Sequence, residues 1–190
     1  MTTNAFLAQL TEATRQLIST AQTELEPLEM TQLNWQPAPN AWSVLECLEH
    51  LNRYSRYYNA QLAQALVRPH TTAKAEVAYS WFGRKSIAMM APDNTKKAKT
   101  LKRMNPSGSS LGREVLAAFL QYQQQLLQLL TQAQHADLNR KAVPVEFFQL
   151  LKMRVGETFE FVIMHQQRHM QQALRVKASL PAAALALAEK

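Results

Sequence analysis

Apolar side chains recur every three or four residues over four long stretches of the chain, the spacing that gives an α-helix one buried face. Charged and amide side chains fill many of the positions between them. The predicted helices cover residues 4–25, 43–68, 110–134 and 155–178. Alternation of apolar and polar residues, the pattern of a half-buried strand, is hard to find anywhere. We therefore predict an all-α protein, a four-helix bundle.

Capping residues and prolines mark the ends of these stretches. Ser43 and Glu46 have the spacing of a capping box, in which a hydroxyl and a carboxylate bind backbone N–H groups of the first helical turn. A proline follows the first, second and fourth helices, and proline ends a helix because it has no N–H to donate. We expect one domain over residues 1–180 and a flexible tail over residues 181–190.

Residues 70–109 form the longest connection, between the second and third helices. A segment of about 40 residues is longer than compact domains usually need, so we expect a crossover that covers one end of the bundle. Between Lys74 and Arg103 there are eight basic residues and two acidic ones, Glu76 and Asp93. This segment therefore carries +6 of the chain's net charge of +7. Such a basic segment can attract an anionic small molecule or nucleic acid, or simply keep the surface solvated.

The composition narrows the class of protein. Glycine is scarce, at 4 of 190 residues, while alanine, leucine, glutamine and methionine are abundant, and this balance favours helices. The single cysteine, Cys47, excludes an internal disulfide and a cysteine-based zinc site, and we expect it to be a small buried hydrophobe. We find no signal peptide and no apolar run of about 20 residues. We therefore predict a cytoplasmic protein with no membrane partner.

The buried face of the fourth helix carries residues that suggest chemistry. This face consists of Val155, Thr158, Val162, His165, His169, Gln172 and Val176. Two histidines four residues apart lie on one side of a helix, about 6 Å apart along its axis, and such a pair can bind one metal ion. Buried polar groups need partners, and a network with water would supply them as well as a metal. The spacing leaves both interpretations open.

His50 is less well defined by its spacing. It lies one residue from the apolar face of the second helix, so periodicity places it on the flank and predicts partial exposure, although a flank can still face a neighbouring helix. The chain shows no Ser-His-Asp pattern and no paired carboxylates, so any enzymatic activity depends on a metal. His135, at the end of the third helix, is expected to interact with the helix dipole.

Two segments of the chain resemble a known family. Residues 35–51, with Trp35, Pro39, Trp42 and the run SVLECLEHL, resemble the first signature of the DinB-like superfamily. Residues 156–172, with the His-x-x-x-His pair, resemble its second signature, in the family's order. The resemblance spans most of the chain and implies the family's four-helix bundle, with the long crossover between helices 2 and 3.

The resemblance also implies a set of site residues. It assigns a divalent transition metal (nickel, zinc, iron or manganese) to His50, His165 and His169, with a position open for water or substrate. The helix positions add two candidates for residues that support the ligands: Glu46, one turn before His50, and Gln172, near the side of the helix that carries His165. The capping box already explains Glu46. A three-histidine site of this kind is typical of catalytic rather than closed structural metal centres.

The function implied is that of a metal-dependent enzyme acting on a small molecule. The superfamily includes thiol transferases, which join a low-molecular-weight thiol to an electrophile, and metal-dependent hydrolases. Arg168 would either bind an anionic group at the rim of the site or be solvated. A homodimer is expected by analogy, and nucleic acid is not expected because no recognised binding motif is present. The alternative is a non-catalytic stress-response or interaction module with a structural metal or none.

Overall fold

The computed structural model describes residues 1–67, 72–94, 100–109 and 111–181. The helices in these ranges are α1 (Thr3–Thr20, extended by a π-helical turn, Ala21–Leu25), α2 (Met30–Leu33), α3 (Val44–Val67), α4 (Trp81–Met90), α5 (Glu114–Gln132) and α6 (Val155–Ala178). Short 3₁₀ turns cover Lys102–Met104 and Ala133–His135. The long helices α1, α3, α5 and α6 match the four predicted stretches, so the predicted fold class is confirmed. Among the described residues, no helix has the length and apolar character needed to cross a membrane.

Some predicted features lie outside the described ranges. They are the tail beyond residue 181, the start of the third helix at Ser110, the end of the second helix at Arg68, and Lys96, Lys97 and Lys99 of the basic segment. The division into one domain and a tail therefore stays a prediction.

The four long helices form a bundle in which helices that follow each other in the chain are not all neighbours. α1 and α3 each pack against both α5 and α6, so α1 and α3 occupy opposite corners. α3 and α5 run in the same direction, because the Asn52 amide binds the Val115 carbonyl and the Asn59 amide binds the Tyr122 carbonyl seven residues later on both helices. The chain between α3 and α5 therefore has to return along the bundle.

Helix α4 lies within this return segment and is fastened to α6 at both ends. At its start, the Ser80 N–H donates to the carboxylate of Glu157, which also accepts from the Arg154 N–H at 3.0 Å. Near its end, the Met89 carbonyl accepts from the Arg168 guanidinium at 3.1 Å. α4 thus lies alongside α6 and runs parallel to it.

A two-stranded antiparallel hairpin, β1 (Lys141–Val145) and β2 (Phe148–Arg154), precedes α6. The sequence did not predict it, because β1 has only five residues and contains a proline, and the first three residues of β2 are all exposed, so β2 does not alternate. Tertiary contacts hold it instead. The Tyr57 hydroxyl donates to the Pro144 carbonyl, and the Glu146 N–H donates to the Tyr58 hydroxyl, both at 3.3 Å. The hairpin therefore adds to an all-α bundle and packs against α3 and α6.

Candidate metal centre

Three imidazoles from two helices meet in the core. His50 lies on α3, and His165 and His169 lie one turn apart on α6. One nitrogen of each ring lies within 4.8 Å of the other two, and the Nε2 atoms of His50 and His165 are 3.1 Å apart. His50 is 3% exposed and His165 is 5% exposed, while His169 is partly buried. The structure thus brings together the three histidines that the resemblance named.

The partial exposure predicted for His50 from periodicity is wrong. The flank of α3 that carries His50 faces α6, where His165 and His169 lie against its ring. The turn Lys102–Met104 covers it from another side, and the Met104 carbonyl lies 2.8 Å from His50 Nδ1. The neighbours of α3, which its own periodicity cannot reveal, decide this burial.

Hydrogen bonds to the outer nitrogens fix two of the rings. A carbonyl oxygen only accepts, so His50 must carry its proton on Nδ1 to donate to Met104. His169 Nδ1 likewise donates to Gln172 Oε1 at 2.9 Å. Each neutral ring then has an unprotonated Nε2, and a histidine held by a hydrogen bond on its other nitrogen is the usual form of a metal ligand. Gln172 therefore orients His169 rather than His165, and a role in supporting a bound metal stays a prediction.

The surroundings keep all three imidazoles neutral. Burial lowers the pKa of His50 to about 4 and the pKa of His169 to about 3. Burial also lowers the pKa of His165 well below its usual value, assisted by the neighbouring imidazoles and by Arg168. Neutral rings at pH 7 are the protonation state that a divalent metal requires.

Acidifying the metal-free protein from about pH 6.5 to about pH 5 is expected to lower its free energy of unfolding. In the unfolded chain a histidine has a pKa near 6.5 and gains a proton in this range, whereas the folded core keeps His50 and His169 neutral. The unfolded state then binds more protons. Stability falls by up to about 1.4 kcal/mol per pH unit for each such histidine.

Urea denaturation at several pH values, with a chelator present, measures this dependence. His165→Phe should make it shallower, because one titrating ring is lost from the core. The matched control is His135→Phe, which removes an exposed histidine and should leave the dependence unchanged. A stability that stays level between these pH values would contradict the neutral, buried cluster.

Aromatic rings surround the imidazoles. The Trp42 ring centroid is 4.8 Å from that of His50 and 5.7 Å from that of His169. Tyr54 lies 4.9 Å from His50 and 4.7 Å from His165, and Phe161 stacks on His165 at 6.2 Å. These aromatic side chains keep bulk water from the imidazoles and lower the local dielectric constant. A lower dielectric constant strengthens electrostatic interactions inside the site.

Sequence reasoning missed Phe161. It lies four residues before His165, which puts it on the same side of α6, and that spacing could have found it. The Met104 carbonyl gives no signal at all, because every residue has a carbonyl group and only the path of the loop brings this one to His50.

Other residues singled out from the sequence have different surroundings. Glu46 Oε2 accepts from the Ser43 N–H and from the Gln36 amide, both at 2.8 Å, and the Glu46 N–H donates to the Ser43 hydroxyl at 3.2 Å. This carboxylate serves the capping box of α3, and a role behind the metal ligands stays a prediction. Cys47 is buried, and burial raises the pKa of its thiol to about 12, as suits a small hydrophobe.

Replacing Gln172 by leucine is expected to weaken metal binding by about 10- to 100-fold, because it removes the acceptor that fixes the His169 tautomer. Competition with a chromogenic chelator measures the affinity. Gln171→Leu changes the same residue type at an exposed neighbouring position and should leave the affinity unchanged. Equal affinities in the two variants would mean that His169 is oriented by packing alone.

Three arginines act electrostatically on the imidazoles, although one of them, Arg53, is paired with Glu49 at 2.8 Å. Arg53 contributes to lowering the pKa of His50, Arg168 to lowering that of His165, and both Arg168 and Arg175 to lowering that of His169. A field of this sign favours an anionic ligand.

The donor set fits a divalent transition metal. The cluster consists of three imidazoles without a cysteine, and hydrogen bonds leave Nε2 of His50 and of His169 unprotonated. Three imidazoles suit zinc, nickel, iron and manganese and leave room for a further ligand from substrate or solvent.

Comparisons with known proteins agree with the family resemblance and with the fold. The family model of the DinB superfamily matches residues 5–173. One similar solved structure is YfiT from Bacillus subtilis, described as "a probable metal-dependent hydrolase with an unusual four-helix bundle topology". The two chains share 12% sequence identity with a TM-score of 0.57, and the alignment covers 90% of this chain and 86% of that one. At this identity the likeness supports the fold alone. The search of curated proteins found no match.

Proposed function

The chain belongs to the DinB superfamily, and on that basis we propose that it is a divalent-metal-dependent enzyme whose metal is held by His50, His165 and His169. The convergence of the three imidazole nitrogens within 4.8 Å of one another carries this proposal. Further support comes from the hydrogen bonds of Met104 and Gln172, which leave Nε2 of His50 and of His169 without a proton; the His50 Nε2 here pairs with His165 Nε2 at 3.1 Å.

The residues around the imidazoles have separable roles in this proposal. A bound divalent ion would supply Lewis acidity, which lowers the pKa of a thiol or of water. Trp42, Tyr54 and Phe161 line the rings and limit access of bulk solvent. Arg168, held between α6 and the Met89 carbonyl of α4, would attract the anionic group of a substrate.

The reaction that we propose first is transfer of a low-molecular-weight thiol to a small electrophile. The thiol loses its proton to solvent, its sulfur forms a bond to an electrophilic carbon, and the leaving group departs from that carbon as an anion with the electrons of its old bond. The positive field at the site supports this choice because both a thiolate and an acidic thiol compound are anionic. Hydrolysis is the second candidate, favoured by the description of the B. subtilis protein as a probable metal-dependent hydrolase.

An assay of the metal-loaded protein distinguishes these reactions. We would supply an aryl chloride with cysteine or glutathione in one series, and a nitrophenyl ester without thiol in the other. Thiol transfer predicts turnover only in the first series, and hydrolysis predicts turnover only in the second. Chelator-treated protein is the control, and turnover that persists without metal would reject the proposal.

Arg168→Gln tests the anion-binding role separately from the metal. It is expected to raise KM for glutathione, which carries carboxylates, more than for a neutral thiol, while leaving the metal content unchanged. Arg84→Gln, an exposed arginine on α4, is the matched control. Equal KM values in the two variants would remove Arg168 from substrate binding.

A further inference from the structure

Each long helix carries a buried polar residue where two apolar clusters of the core meet. On α1, Thr14 lies between Leu10 of one cluster and Leu17 of the other. On α5, Gln123 lies in the same way between Leu126 and Phe119. We call the whole set the polar layer; it consists of Thr14, Asn52, Ser55, Gln123 and Gln166, together with Asn59, which lies one turn beyond Ser55 on α3, between Tyr58 and Leu62 of one cluster, and all six are buried.

Most side chains of the polar layer use only part of their hydrogen-bonding capacity. The Asn52 and Asn59 amides donate to carbonyls of α5, and the Gln166 amide donates to the Ser55 hydroxyl at 3.3 Å. Five buried amide atoms have no hydrogen-bond partner among the described residues. They are Asn52 Oδ1, Asn59 Oδ1, Gln166 Oε1, Gln123 Oε1 and Gln123 Nε2.

A folded core does not leave so many amide atoms unpaired. A buried donor or acceptor without a partner loses its hydration and gains nothing in return, and five of them would consume much of the stability of an ordinary domain. Four of the five atoms are acceptors and one is a donor. The missing partner must therefore mainly donate hydrogen bonds, and must also be able to accept one.

Water meets this requirement. It donates two hydrogen bonds and accepts others, and buried water in proteins typically binds otherwise unpaired polar groups. A buried cation could also satisfy the acceptors, but the chain carries a net charge of +7, and the buried Gln123 Nε2 would present another donor to it. The numbers of unpaired donors and acceptors therefore favour a neutral molecule, water, over a cation.

The polar layer adjoins the candidate metal centre. Gln166 directly follows His165 on α6, and its partner Ser55 directly follows Tyr54 on α3. The Tyr54 ring contacts both His50 and His165. The polar layer and the residues around the imidazoles are therefore neighbours along both α3 and α6.

We infer that the polar layer is an internal site for several water molecules, placed between the two apolar halves of the core and next to the imidazole cluster. This water would lie beside the buried imidazole rings, whereas a purely apolar core would hold no water there. The site does not require a bound metal, so it stands independently of the proposed function.

Water-to-protein NOE and ROE spectra of the ¹⁵N-labelled full-length, metal-free protein test this inference. Long-lived internal water should give cross-peaks to the side-chain NH₂ groups of Gln123 and Gln166, with the sign typical of bound rather than bulk water. Gln123→Met should remove its own cross-peaks and weaken those of Asn59 at least twofold. The control, Gln124→Met, changes an exposed glutamine on the same helix and should leave the spectrum unchanged.

Two results would overturn the inference. One is a wild-type spectrum without water cross-peaks at any buried amide, which would mean that the amides pair with each other; this needs no variant. The other is a melting temperature that rises with potassium or sodium chloride but not with choline chloride, together with missing water cross-peaks, which would identify a bound cation.

Discussion

Replacing His165 by alanine is expected to abolish binding of a divalent transition metal. Wild-type protein should retain about one equivalent, and the variant less than about a tenth of one, because two imidazoles are too few to complete the three-ligand site typical of catalytic centres. His165 is the central ligand. Its Nε2 lies 3.1 Å from that of His50, and its ring contacts those of both other histidines.

Elemental analysis of protein purified without a metal-affinity tag measures this effect. His135→Ala is the matched control, since it removes an exposed histidine at the end of α5 and should keep the metal. Wild-type protein that binds no nickel, zinc, iron or manganese, even after their addition, would reject the catalytic proposal. The imidazoles would then be a hydrogen-bonded polar cluster in a non-catalytic interaction module.

The sequence predicts the helices well because each long helix has one apolar face. The predicted fourth helix, residues 155–178, coincides with α6 (Val155–Ala178), and the capping box at Ser43 and Glu46 places the start of α3. The hairpin could not be predicted in this way. Its pairing depends on hydroxyl groups of α3, and β2 buries Met153 alone among its seven residues, so no alternation appears.

The candidate site shows the same difference between what one helix determines and what the packing of helices determines. The spacing of His165 and His169 is a local property of one helix, and it correctly placed both on an inward face. The burial of His50 depends on how α3 meets α6, and the resemblance, not the periodicity, identified it. Gln123 shows most clearly which kind of burial the sequence cannot predict. It lies in a glutamine-rich helix and looks like its solvated neighbours Gln121 and Gln124, yet the bundle buries it fully.

Gly83→Ala is expected to destabilise the protein by about 1–3 kcal/mol, the usual cost of overpacking a filled site. A β-carbon at Gly83 would overlap the carboxylate of Glu157. This carboxylate is fully buried, and it cannot retreat without losing the hydrogen bonds from the Ser80 and Arg154 N–H groups. The methyl group would therefore push the start of α4 away from α6.

The sign of the stability change identifies its cause. On an unconstrained helix, alanine in place of glycine stabilises by about 1 kcal/mol, so a loss of stability can only come from the contact with Glu157. Ala88→Gly, at an exposed position of α4, is the control and should destabilise through helix propensity alone. Urea denaturation measures both variants. A Gly83→Ala protein as stable as the wild type would mean that α4 can shift on α6, and Arg168, which binds the Met89 carbonyl at the other end of α4, would then not be held in a fixed position beside the imidazoles.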